Sequence, residues 1–294
     1  MIKFKHLFYT AILGTLLYSC GSDSNSAVDN FDHEAQAVID NDSLVAFLKN
    51  NYYNAELDSV KVIDNGQTSL FDDNKLITKE VVESDINYKL YYYVNRVGSP
   101  SVDKGFPTVM DSVYAKYKGQ RIKRKDSLTS DFDKGTTWFS LNQVVRGWTH
   151  AFIHFKGGDN VTDNGPINYE NGGKGILFIP SGLGYRNSGS RDGAIKPNEN
   201  LLFYIELWDL VQNTDDDQDG VPSIYEDTDG DGDPRNDDTD EDFIPNYADT
   251  DDDGDGVLTK NEDKNGDGNP ANDFNDPNNP TIPDYLNRDI RIKY

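Results

Sequence analysis

Asp215, Asp217 and Asp219 alternate along the chain and are followed by Gly220, Val221 and Glu226. Carboxylates at positions 1, 3 and 5, a glycine at 6, a main-chain carbonyl at 7 and a glutamate at 12 form the donor pattern of a calcium loop. Hard oxygen ligands suit a hard cation, and the glycine permits the sharp turn between them. Asp251, Asp253, Asp255, Gly256, Val257 and Glu262 repeat the pattern 36 residues later. Asp227, Asp229 and Asp231, with Gly232, start directly after Glu226. Asp263, Asn265 and Asp267, with Gly268, start directly after Glu262. A further acidic run, Asp238, Asp240 and Asp242, lacks the glycine. Abutting loops leave no room for flanking helices, so the spacing predicts a string of calcium loops and not a helix–loop–helix hand.

Other reactive chemistry is sparse. His150 and His154 share a face at i, i+4, a spacing that suits a metal, but no glutamate stands between them and no third ligand is evident. An ordinary packing role accounts for both. The chain shows neither a glycine-rich phosphate loop nor a nucleophile elbow. If the chain is an enzyme, it works by binding and desolvation.

The segments "VYAKYKG" (113–119), "QVVRGW" (143–148), "ILFIPSGLGY" (176–185), "AIKPN" (194–198) and "LLFYIEL" (201–207) occur in that order. Together they resemble an FKBP-type peptidyl-prolyl cis–trans isomerase domain, over roughly residues 88–211. The resemblance implies an antiparallel sheet half-wrapped on a short helix, enclosing an apolar pocket. It also implies roles residue by residue. Trp148 forms the pocket floor, and Val144 and Val145 line one wall, the Val145 N–H donating to a substrate carbonyl. Tyr117 lies along another wall, and the Tyr185 hydroxyl reaches a peptide carbonyl. Ile195 and Phe203 complete the lining. Phe132-Asp133 resembles the family's phenylalanine–aspartate pair, with Asp126 a competitor for the aspartate. Arg186 replaces the usual glycine after the pocket tyrosine, Lys196 replaces a common proline, and "GGDNVTDNGPINYENGGKG" (157–175) lengthens a connection. Thr137 or Trp138 falls where the family often has phenylalanine.

Such a pocket needs no proton transfer. Rotation about an X–Pro bond faces a barrier of about 18–20 kcal/mol because amide resonance must be broken. The twisted amide carries less charge on its oxygen than the planar one. A dry apolar pocket therefore disfavours the planar ground state more than the twisted transition state. Aromatic residues supply shape and dryness, while one hydroxyl and one N–H supply orientation.

The elements that must position these groups are legible in outline. "DHEAQAVIDNDSLVAFLKNNYY" (32–53) reads as helical, with "DNDS" interrupting it and capping a second helix near Leu44. From Tyr88 the chain turns aromatic and β-rich. "QVVRGWTHAFIHF" (143–155) reads as a short amphipathic helix, and "KGILFIP" and "NLLFYIELWDLV" as strong strands. The class is α+β.

Charge divides the 294-residue chain. It holds 52 acidic and 28 basic residues, a net charge of −24; residues 213–294 hold 26 of the acids and 6 of the bases. Nucleic acid is excluded as a partner, since phosphate binding needs cationic surface. The acidic segment has too few apolar residues to offset chain entropy, so bound calcium must fold it. Its repeats resemble a thrombospondin type 3 calcium array over residues 215–289.

At the other end, "MIKFKH" and a short apolar run precede Cys20, the only cysteine. The pattern resembles a bacterial lipoprotein signal, which implies cleavage before Cys20 and its acylation. The expected organisation is a signal peptide over 1–19, a lipidated linker and helical spacer over 20–85, an isomerase domain over 86–212 and an acidic calcium module over 213–294. The expected setting is the bacterial cell envelope, with the chain lipid-anchored to a membrane, the outer membrane foremost. Proline-containing polypeptides are the expected clients. The second reading is a non-catalytic peptide-binding or scaffolding lipoprotein with the same calcium module.

Overall fold

The computed structural model describes residues 30–293. The leader over 1–19, Cys20 and the first part of the linker lie outside the described residues. No helix among the described residues is long and apolar enough to cross a membrane.

The first element is a single helix, α1 (His33–Asn50), capped by Asp32, whose side chain accepts from the Ala35 N–H at 2.9 Å. The expected interruption at "DNDS" does not occur. Asp40, Leu44, Phe47 and Leu48 recur at helical spacing and form one buried face, so tertiary packing overrides the local capping signal. A small hairpin follows, β1 (Asn51–Asn54) with β2 (Ser59–Val62). The chain then enters the main sheet with β3 (Leu76–Glu83) and β4 (Ile86–Arg96), a hairpin turned at Ser84 and Asp85, both with positive φ. The expected boundary at 85/86 therefore cuts a hairpin.

The sheet continues with the long strand β5 (Ser112–Arg124), the short β6 (Ser127–Leu128) and β7 (Asp133–Ser140). Helix α2 (Arg146–Phe152) comes next, then the two-residue strands β8 (Asp159–Asn160) and β9 (Tyr169–Glu170), and finally β10 (Gly173–Ile179) and β11 (Leu201–Val211). The order is β3-β4-β10-β11-β5-β6, with β7 also pairing β5, and every pairing is antiparallel.

Both faces of this sheet are covered. Strand residues alternate between them with period 2. Tyr92, Leu177, Ile179, Phe203 and Ile205 pack with Trp148, Ala151 and Phe152 of α2. Their neighbours Tyr91, Tyr93, Ile176, Phe178 and Leu202 pack with Leu44, Phe47 and Leu48 of α1. Double coverage explains why Ile176–Ile179 is buried without interruption. It also means that α1 is part of the core and not a spacer. Gly147 lets α2 approach the sheet: a Cβ there would lie 2.4 Å from the Ile179 side chain.

After β11 there is no further strand or α-helix among the described residues. Residues 213–293 run through turns and six single 3-10 turns, from Ser223–Tyr225 to Asp284–Leu286. This segment is tied to the sheet. Ser112 N–H donates to Thr214 Oγ1 at 2.9 Å, and Asn142 Nδ2 donates to Asp216 Oδ2 at 2.5 Å.

Candidate functional sites

A cleft of about 580 Å³ opens between α2, β5, β7 and the turn after β10. It is lined by Tyr117, Phe132, Asp133, Phe139, Gln143, Val144, Val145, Arg146, Trp148, Gly184, Tyr185 and Phe203. Its floor is Trp148, 4 % exposed, with ring centres of Phe139 and Phe203 at 5.1 Å and of Tyr117 at 5.2 Å, all near edge-to-face. That geometry suits the aromatic quadrupoles and makes a rigid wall. Phe132 meets Phe203 edge-on at 5.5 Å.

Polar groups are few and placed at the rim. The Tyr117 hydroxyl donates to Asp133 Oδ2 at 2.9 Å. Burial and the neighbouring carboxylate push the Tyr117 phenol up to about 12, so it stays a protonated donor at neutral pH. Burial first, then Asp133, raises Tyr185 as well. Val145 is the N-cap of α2, in a non-helical conformation (φ −59°, ψ 138°), and its carbonyl accepts from Trp148 N–H at 2.8 Å. The cleft thus offers an apolar floor with neutral hydroxyls, one carboxylate and a helix-cap backbone around it.

Eight of the nine expected pocket residues converge here: Tyr117, Phe132, Asp133, Val144, Val145, Trp148, Tyr185 and Phe203. The ninth does not. Ile195, 3 % exposed, packs in the same cluster as Trp148 and Phe203 but is not among the residues lining the cleft. Of the two candidate aspartates, Asp133 lines the cleft, while Asp126 sits in the β5–β6 turn beside Arg124 at 3.8 Å. Phe139 was missed. Strand alternation turns Trp138 outward, 46 % exposed and stacked on Tyr114 at 5.2 Å, and turns Phe139 inward. The period-2 pattern of "TTWFSL" was the signal that could have found it.

The departures from the family pattern lie to one side. Arg186 takes the left-handed conformation of the usual glycine (φ 51°), and its guanidinium donates to Gly182 O and Ser84 Oγ, away from the cleft. The 157–175 insertion supplies no lining residue; its Tyr169 stacks on Trp208 at 5.4 Å. His154 stacks on Tyr92 at 4.8 Å, and burial drives His150 down to about 4 with help from Arg146 and Lys79. Neither histidine joins an acidic cluster.

The segment that carries the cleft, residues 103–208, matches the family model described as FKBP-type peptidyl-prolyl cis-trans isomerase. A probable FKBP-type peptidyl-prolyl cis-trans isomerase FkpA of Neisseria meningitidis is 28 % identical over 175 residues, which is 60 % of this chain and 48 % of that protein. The match thus spans about half of the relative's length. Two solved structures are also similar. A peptidyl-prolyl cis-trans isomerase of Pseudomonas syringae has 19 % identity and a TM-score of 0.36, over 62 % of this chain and 98 % of that one. FkpA of Escherichia coli has 28 % identity and a TM-score of 0.33, over 45 % and 52 %. The acidic segment, residues 216–289, matches a separate family model described as BamM C-terminal.

Within that segment five loops share one backbone form, beginning at Asp215, Asp227, Asp238, Asp251 and Asp263. Positions 4 and 6 have positive φ in every loop: Gln218 and Gly220, Gly230 and Gly232, Glu241 and Phe243, Gly254 and Gly256, Gly266 and Gly268. The N–H at position 6 donates to the first aspartate each time, at 2.6–3.1 Å. The run lacking a glycine thus makes the same turn, with Phe243 forced to φ 77°. Carboxylates gather accordingly: Asp215 with Asp217 and Asp219, Asp251 with Asp253 and Asp255, and Asp238 with Asp240 and Asp242. In the second loop Asp237 joins Asp227 and Asp229, in the place expected for Asp231, which is exposed.

The donor set fits a divalent cation. Glu226 and Glu262 are fully buried, and all four of their carboxylate oxygens lack a hydrogen-bond partner. Burial and surrounding aspartates push Glu226 up to about 10 and Glu262 up to about 9. Buried anions without partners are strongly disfavoured, and a bound cation is the direct remedy. Val221 and Val257 stand where their carbonyls would be the seventh-position ligands, and Asp263, Asn265 and Asp267 form the fifth loop on the same backbone.

Proposed function

We propose that this chain catalyses cis–trans isomerisation of X–Pro bonds in polypeptide clients. The observation that carries the reading is the Trp148-floored cleft, with Tyr117, Asp133, Tyr185 and the Val145 cap at its rim. A prolyl ring seated on the Trp148 indole would place its preceding carbonyl in dry surroundings. Val145 N–H and Tyr185 hydroxyl would hold the flanking peptide while the amide twists. The aromatic box favours the less charged, twisted amide. No proton moves in this reading.

In the same reading the acidic segment is a calcium-folded module, and Cys20 is the lipid attachment point that holds the chain at a membrane of the bacterial envelope. The clients are then exported proteins. The test is an exchange assay by NMR, or a protease-coupled assay, on an X-Pro peptide. The full chain is expected to accelerate exchange. Tyr185→Ala and Trp148→Ala are expected to lose on the order of tenfold or more of kcat/KM, about 1.4 kcal/mol of transition-state stabilisation. No acceleration by the folded chain would reject catalysis and favour a peptide-binding role.

A further inference from the structure

The first and fourth loops are separated in sequence but meet in the fold. Asp252 occupies position 2 of the fourth loop, a place the linear calcium pattern leaves without a ligand. Its counterpart in the first loop, Asp216, accepts from Asn142 of the isomerase domain. Asp252 behaves differently. Its Oδ2 accepts from Thr259 Oγ1 at 2.8 Å, whereas its Oδ1 is buried without a partner. One oxygen each from Asp252, Asp219 and Glu226 lies within 4.8 Å of the others. The three residues are 1 %, 1 % and 0 % exposed, and Asp219 Oδ2 and both Glu226 oxygens are also unpartnered. Asp219 belongs as well to the group formed with Asp215 and Asp217.

We propose that a divalent cation, calcium by its all-oxygen donors, binds between the first and fourth loops on Asp219, Glu226 and Asp252. It is additional to the ion of the first loop, and Asp219 and Glu226, both members of that loop, bridge the two. Charge balance favours the second ion. Asp215, Asp217, Asp219, Glu226 and Asp252 form two groups that share Asp219 and bring five carboxylates together, with Asp219, Glu226 and Asp252 buried. A single divalent ion leaves three of them uncompensated in surroundings where an unpaired anion is expensive. Two ions leave one. The extra ion is a cross-link: it closes the chain between residues 219 and 252 and makes binding at the two loops cooperative. The inference rests on the reading of the loops as calcium sites.

Native mass spectrometry of the full chain in calcium counts the ions. Asp252→Asn, which keeps the size and the Thr259 contact, is expected to bind one ion fewer than the parent. Asp216→Asn, at the equivalent place in the first loop, is expected to bind the same number. An unchanged count in Asp252→Asn overturns the bridging site and leaves the loop reading standing. A parent chain that binds no calcium overturns the loop reading itself. Should Asp252→Asn fail to fold, terbium luminescence lifetimes on the parent decide the matter. A class of bound terbium with at most about one coordinated water supports the buried bridge; solvated classes alone overturn it.

Discussion

At the scale of the residue, the cleft depends on which neighbour in a strand faces inward. Phe139→Ala removes an edge-to-face partner of both Trp148 and Tyr117. It is expected to lower kcat/KM several-fold and stability by about 2 kcal/mol, reduced from the cost of a fully buried phenylalanine. Trp138→Ala, one position away, is expected to leave kcat/KM within about twofold; comparable losses in both variants would refute the assignment. A second effect concerns pH. His150 is depressed to about 4 by burial and by the Arg146 and Lys79 charges. The unfolded chain therefore takes up this proton from about pH 6.5 downwards, while the folded chain resists it. The contribution of neutral His150 is fully present above pH 6.5 and is lost as pH falls toward 4. After allowance for partial exposure the loss by pH 5 is about 1 kcal/mol. Urea unfolding of the parent and His150→Gln at pH 7 and pH 5 measures it; an equal pH dependence in both would refute it. The sequence motifs located Trp148, Tyr117, Tyr185 and Phe203 because each sits in a recognisable string. They do not settle Ile195, which lies outside the cleft lining, because an apolar residue in a loop looks the same whether it faces a cleft or the core behind it.

At the scale of the element, α1 is the surprise. Its apolar positions are few, and nothing in its sequence reveals the second sheet face that they cover. The alternation in β4 and β10, with large apolar residues at both parities, was the available sign that two layers and not one must be filled. Asp40 completes the link. This fully buried carboxylate accepts from Ser181 N–H at 2.7 Å and Ser181 Oγ at 2.6 Å, at the start of the turn that carries Tyr185. Asn200 closes the same junction by donating to the Asp40 carbonyl. Asp40→Ala leaves a buried hydroxyl without its acceptor and is expected to cost about 1–3 kcal/mol. It should also loosen Tyr185 and raise KM for peptide. Denaturant titration and steady-state kinetics check both, and an unaltered midpoint would show that the junction is not energetically coupled.

At the scale of the whole molecule, two differently built parts share one covalent frame. The sheet domain is held by apolar burial, whereas the acidic segment buries carboxylates where a core would be. Its stability should follow calcium by mass action: each independent ion at a hundredfold excess over its Kd adds about 2.7 kcal/mol. Thermal unfolding followed by circular dichroism is expected to show a large upward shift in Tm on calcium addition, reversed by chelation. Superimposed melts would reject a metal-folded module. The repeat spacing disclosed the loops from sequence, since aspartates at alternate positions are a local pattern. It could not disclose how the module docks, because that depends on Glu83, which pairs with Arg146 at 2.9 Å beside the cleft and with Arg235 at 3.3 Å in the acidic segment. Glu83 and Arg235 are 152 residues apart.

Strand β11 is the last strand of the sheet to be synthesised, yet it lies between β10 and β5. A chain emerging from its N-terminus can form the β3–β4 hairpin early, but β5 and β10 have no common partner until residues 201–211 arrive. Neither half of the sheet can be completed by what precedes it. Folding therefore waits on long-range closure, a slow topology in kinetic terms. Chains cut short before Val211 should yield no partial domain, only exposed aromatic strands.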